Sequence, residues 1–367
     1  MTTLMHASRQ WATRPADERY TSLYEMGARY RTLRDRSKAT VKSSRQLTVQ
    51  PSVEDPKRGL QLTNGNGIAA NMTHWSFGQM ATLAGAPAGY LRKLPAPIAA
   101  DALNYGLKFD RDVEDVGLLL TREPGQDIEL RAATGPRYGR IWNADIVDAL
   151  INRFGDGLTG DFRVPGEFGH RVPVTKANTT LFGGDRDMFV FLADEDHRIE
   201  VPNRRNGQPG SLARGFFVWN SEVGSQSIGA AFFLFDYVCC NRIVWGAEGF
   251  REIRLRHTAS APDRWLEEVT PVLTEYANAA AGPVEETIKA AQAKRFDDDL
   301  DAFLKSRFSG PQATAIKAAH EREEGRPIET LWDVTVGVTA YAKTIEWQDD
   351  RVAMERLGGK VLDLVAA

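Results

Sequence analysis

Cysteine is nearly missing from this sequence of 367 residues, and the two present, Cys239 and Cys240, are neighbours. Adjacent cysteines bridge each other only with backbone strain, so a disulfide framework is excluded and the cytoplasm is the expected compartment. Long apolar runs are missing as well. The richest, Ile228 to Val238, contains Asp236 and falls short of the roughly 18 residues a membrane helix needs. Met1 to Gln10 lacks the apolar core of a secretion signal, so no membrane partner is expected. There is no Gly-x-x-x-x-Gly-Lys-Ser/Thr phosphate loop, no strand-turn-helix Gly-x-Gly-x-x-Gly and no Gly-x-Ser-x-Gly elbow. The six histidines lie far apart and form no His-Glu-x-x-His. These absences argue against the common hydrolase and nucleotide-dependent classes. A non-enzymatic protein without a cofactor is expected.

What is present is ordinary globular material, 42% apolar and 26% charged. The net charge of −3 is unevenly spread. Residues 1–58 carry 12 Lys+Arg against 6 Asp+Glu, whereas residues 257–367 carry 13 against 20. A basic beginning and an acidic end suit a protein that meets a polyanion with one end.

Periodicity predicts a helix over Ser22 to Arg36, with Leu23, Met26, Tyr30 and Leu33 on one face and arginines on the other. Lys38 to Val49 reads as a strand, and Gln50 to Gly59 as a loop. A helical unit follows over residues 73–107, with breaks at Gly85, Pro87 and Pro97. Short apolar runs then predict strands at Gly117 to Thr121, Ile128 to Thr134, Arg140 to Trp142, Met188 to Leu192, Ile199 to Val201, Gly215 to Asn220, Ala230 to Val238 and Arg251 to His257. Within them, a helix is expected from Ala144 to Arg153, and the polar loop Pro202 to Gly210 reads as mobile. Beyond Pro262 the chain reads as helices over 264–281, 284–306, 312–324, 328–344 and 350–366. The fold class is α+β, a central, largely antiparallel sheet with helices at both ends and a C-terminal helical region. The expected division is a basic N-terminal arm (1–58), an α+β core (59–256) and a helical C-terminal region (257–367).

Three clusters invite chemistry. Asp194-Glu195-Asp196-His197 offers metal-ligand types, but consecutive residues point apart and the segment reads as a hairpin turn. Asp297, Asp298, Asp299 and Asp301 complement a helix start. Cys239-Cys240 continues an apolar strand and reads as buried, and Asn220-Ser221-Glu222-Val223-Gly224 reads as a turn. The cations carry the better signal, since a single strand needs positive charge along a groove and flat side chains for its bases. The candidates are Arg29, Arg31, Arg34, Arg36, Lys38, Lys42, Arg45, Arg137, Tyr138, Arg140, Arg204, Arg205, Arg251, Arg254 and Arg256, with Trp142 and Trp219 as further rings.

Gly215 to Gly224, followed by Tyr237 to Gly246, resembles the phage/plasmid-like family of unassigned function. Met80 to Leu91, Arg137 to Trp142 and Leu331 to Ala342 resemble further blocks of that family, in order across roughly residues 70–360. Arg242 stands where the family pattern has Gly after Asn. The resemblance implies a setting on mobile elements, in replication, recombination or defence evasion. Single-strand annealing by a homo-oligomer bound to single-stranded DNA is the expected function. A module that inhibits a host defence or nucleic-acid enzyme through its acidic helices is the alternative, and a metal enzyme using Asp194, Asp196 and His197 is a third.

Overall fold

The computed structural model describes residues 15–63, 69–110, 115–165, 173–202, 204–236, 241–245, 252–280, 282–296, 299–345 and 348–365. The fold is α+β and is built on two sheets. Its strands are β1 (Arg19–Tyr20), β2 (Ser37–Ser43), β3 (Thr48–Pro51), β4 (Leu60–Thr63), β5 (Ala69–Met72), β6 (Asp115–Arg122), β7 (Ile128–Thr134), β8 (Phe162–Arg163), β9 (Leu181–Gly183), β10 (Met188–Asp194), β11 (Ile199–Val201), β12 (Gly210–Asn220), β13 (Ile228–Asp236), β14 (Asn241–Ile243) and β15 (Ile253–Leu255). One sheet runs β2-β6-β7-β5-β4-β3, and the other is centred on β9-β10-β12-β13. All pairings are antiparallel except β5 with β7.

The larger sheet explains why its strands read as continuous apolar runs: both of its faces are covered. Met188, Val190, Leu192, Phe216, Val218, Ala230 and Phe232 face one core, while Phe189, Phe191, Phe217, Trp219 and Phe233 face another. Two glycines make room for the rings. Gly215 pairs with Phe233 and Gly229 with Trp219, and a Cβ at either position would enter the partner's ring. Larger residues there would break the sheet.

Helix α1 (Leu23–Asp35) begins at Ser22, whose hydroxyl accepts from the Glu25 amide. It buries Leu23, Met26, Tyr30 and Leu33 in the core under the larger sheet, beside α5 (Asn143–Phe154). The chain then enters the six-stranded sheet as β2 and β3. Residues 15–58 are therefore not a separate arm, because their apolar stripe and strands belong to both sheets. Helices α2 (His74–Leu83), α3 (Ala88–Leu91) and α4 (Ala96–Tyr105) cover the smaller sheet through Phe77, Met80, Leu91 and Leu103.

The chain closes with α6 (Ala261–Arg264), α7 (Thr270–Asn278), α8 (Gly282–Ala293), α9 (Leu300–Lys305), α10 (Gly310–Glu324), α11 (Leu331–Ala342) and α12 (Gln348–Leu362). The single helix expected over 284–306 is broken because Phe296 donates to Glu329 O at 2.9 Å and Arg295 bridges Thr330. Helix α11 is buried along almost its whole length. Strand expectations fail at Arg140 to Trp142, where Arg140 is engaged by side-chain bonding rather than a ladder. The sequence pattern predicts no strand at β4 or β5, each four residues long. The Gly65-Asn66-Gly67 turn lies outside the described residues.

Candidate nucleic-acid interface

The turn between β3 and β4 is closed by its own polar groups. The Ser52 amide donates to Gly59 O at 2.8 Å, and Asp55 Oδ1 accepts from the Arg58 amide at 3.1 Å. Lys57 O then accepts from the Ala96 amide at 2.8 Å, which pins this turn to the start of α4. The facing wall comes from the first residues of α2 and from Leu91 to Pro95 after α3. Arg92 donates to His74 O at 3.0 Å, and its guanidinium lies 4.9 Å from the Phe77 ring centroid. Between the walls is a cavity of about 930 Å³ with an apolar floor that includes Leu60, Met72, Phe77 and Leu94.

Lys57, Arg58, Arg92 and Lys93 are exposed at its rim, and among the described residues no carboxylate lines it. None of the four is ion-paired with a described carboxylate. Burial and the charges of Arg92 and Arg186 hold the His74 imidazole below its ordinary value, against the opposing charge of Asp185.

The expected α1 arginines are arranged differently. Arg29 and Arg36 both reach Glu123, Arg31 reaches Asp148, and Arg34 lies 2.5 Å from Asp145. These pairs tie α1 to α5 and to the segment after β6. A second cavity of about 310 Å³ is lined by Asp17, Glu18, Glu123, Asp127, Glu129 and Asp185 against Arg29 and Arg131, an acidic excess that disfavours a phosphate.

Other expected contacts are placed in the interior. Arg204, expected in a mobile loop, is 1% exposed. It donates to Asp236 and to Glu324, each at 2.7 Å, because a guanidinium buried there needs carboxylates on both sides. Tyr138 does not offer its ring to a base. It stacks on His257 at 4.8 Å, its hydroxyl donates to Ser221 O at 2.7 Å, and burial pushes its phenol above the ordinary value. Arg140 is bonded to Glu222 O and sits over Tyr138. Trp219 is inside the sheet, and Trp142 packs between two cores. Arg254 pairs with Glu252. Lys38, Arg45, Arg137, Arg205 and Arg256 are exposed and Lys42 is half-buried, but they are scattered over several elements. Arg251 and the Cys239-Cys240 pair lie outside the described residues.

The Asn220 to Gly224 turn is a junction between the two sheets. Glu222, 2% exposed, accepts from the Asn143 amide at 2.8 Å and faces Arg131 at 3.0 Å. Val223 O accepts from the side chains of Trp75 and Gln79, at 3.0 and 2.8 Å. Ser221 Oγ donates to Arg186 O at 2.6 Å. These groups are spent on holding backbone and on the buried pair with Arg131, so the turn has the geometry of a clamp. Asp194, Glu195, Asp196 and His197 form a turn in which Asp194 accepts from the His197 amide at 3.0 Å and Glu195 and Asp196 pair with Arg163. Among the described residues no group of three or more His, Cys, Asp or Glu side chains could hold a metal ion. Asp299 caps α9 by accepting from the Ala302 amide at 2.7 Å. Among the described residues no helix is long and apolar enough to cross a membrane.

The groove cations were missed by sequence reasoning. The signal available was a pair of dibasic steps, Lys57-Arg58 directly after Pro56 and Arg92-Lys93 two residues before Pro95. Residues 171–363, more than half of the chain, match the family described as Domain of unknown function (DUF932). No curated protein and no solved structure matches the chain. The matched span holds the Asn220 to Gly224 clamp and the C-terminal helices, whereas the groove precedes it.

Proposed function

The chain belongs to the DUF932 family, and we propose that this member binds single-stranded DNA in the groove between the β3–β4 turn and helices α2 to α4. One observation carries the reading. Four cations rim a cavity of about 930 Å³ over an apolar floor, with no carboxylate among its lining residues. Such a groove attracts phosphates and holds the flat, apolar faces of bases. The finer reading is a mobile-element protein that anneals strands as a homo-oligomer, a binding protein rather than an enzyme. The acidic helical end supports a partner surface less well. Asp301, Glu329, Asp333 and Glu355 are spent on Lys317, Arg295, Arg326 and Arg351.

The test is fluorescence anisotropy of a labelled single strand titrated with the protein across a salt series. Four phosphate contacts predict a log–log slope of about −3, from roughly 0.7 per contact on single strands. Replacing Lys57, Arg58, Arg92 and Lys93 together with alanine should bring the slope close to zero. No binding at low salt, or an unchanged slope in that variant, overturns the reading. Mass measurement with and without the strand tests the assembly.

A further inference from the structure

Helix α4 leaves the groove carrying a row of exposed apolar side chains that no described element covers. Ile98 is 55% exposed, Tyr105 61% and Phe109, on the turn that continues the helix, 75%. Spacings of seven and four residues put the three on one face, while Ala99, Ala100 and Leu103 fill the core on the other. The Tyr105 and Phe109 rings lie 6.0 Å apart with 39° between their planes.

We propose that this row is a base-stacking track, and that a single strand held by its phosphates in the groove continues along α4 to lay bases on Tyr105 and Phe109. The inference rests on the groove reading above. Continuity favours this occupant: exposed Pro97 at the start of α4 lines the groove, and Tyr105 follows it by about 12 Å at the usual helical rise. Area disfavours a second copy of the chain. Three partly exposed side chains of this size present a few hundred Å² at most, against the roughly 800 Å² per partner of a stable interface.

The test uses the full chain with Tyr105→Ala, Phe109→Ala and both together, read by anisotropy on a labelled oligothymidylate of about 15 nucleotides. Each single change should weaken binding at least about fivefold and the pair at least about 20-fold. The salt slope should not move, since stacking releases no counterions. Phe109→Trp should retain or tighten binding. If the double variant binds like the parent while the groove variants lose affinity, the track is wrong and the groove stands. If the double variant loses mass in solution but not affinity, the face belongs to a second copy and the proposal fails. If the parent binds no strand at low salt, groove and track fall together.

Discussion

On α1 and at its C-cap, Arg29, Arg31, Arg34 and Arg36 face Glu123, Asp145 and Asp148, whereas Lys57, Arg58, Arg92 and Lys93 rim a groove that no carboxylate among the described residues lines. The two regions carry the same number of cations. They differ in what faces them, and that decides which can attract a polyanion. Charge matched across a few ångströms is spent on joining elements, while unmatched charge over a cavity projects into solvent. A surplus of cations in a stretch of sequence therefore says little until the partners are known.

The largest effect is expected where a matched cation is also buried. Arg204→Ala removes the buried guanidinium that both Asp236 and Glu324 face in the interior. Breaking a buried pair this way costs about 3–5 kcal/mol. Urea unfolding should show that loss, and a change below about 1 kcal/mol would mean that water reaches the site and that Arg204 resembles the α1 arginines more than its burial indicates.

A cation without a partner is costly when it is buried, and His257 measures that cost. Burial is the largest influence and, with the Arg140 charge, pushes the His257 imidazole down to about 4 against its bond to Gly139 O. An unfolded histidine titrates near 6.5, so between those values the unfolded chain binds more protons than the folded one. Stability is then full above about pH 6.5 and falls by about 3 kcal/mol as pH drops to 4. His257→Gln should flatten that part of the pH profile. Asp333 acts at lower pH, because the bonds from His320 and Arg326 outweigh burial and hold its carboxylate below its usual range. An unchanged profile in His257→Gln would assign the loss elsewhere.

Much of the scaffold was legible in the sequence, and the groove was not. Ser22 followed by Leu23, Met26, Tyr30 and Leu33 defines α1 because capping and helical period are local properties. The runs Met188 to Leu192 and Ile199 to Val201 are strands as read, and Asn220 to Gly224 is a turn that holds the sheets together. Ion pairing is not local. Arg204 meets Glu324 across 120 positions, and Arg34 meets Asp145 across 111. No pattern near either arginine announces its partner. Lys57-Arg58 and Arg92-Lys93 are likewise brought together only when the Ala96 amide binds Lys57 O and α3 folds back over α2.

The groove and α1 can be compared one residue at a time. Arg58→Ala should remove one phosphate contact, lowering the salt slope by about 0.7 and weakening binding severalfold at low salt. Its stability should hardly change, since Arg58 is exposed and only its backbone amide is hydrogen-bonded, to Asp55. Equal slopes in parent and variant would remove Arg58 from the interface.

Arg34→Ala is the counterpart, with the smallest expected effect. Its pair with Asp145 is at the surface, where such pairs contribute about 0.2–1 kcal/mol. Unfolding should register that small loss, while the salt slope for single-stranded DNA stays where it was, because the guanidinium is already matched and points at α5 rather than into the groove. The two variants thus move opposite observables, Arg58 the slope and Arg34 the stability. Were Arg34→Ala to lower the slope as much as Arg58→Ala, Asp145 would have to release the arginine when DNA binds, and α1 would return to the interface.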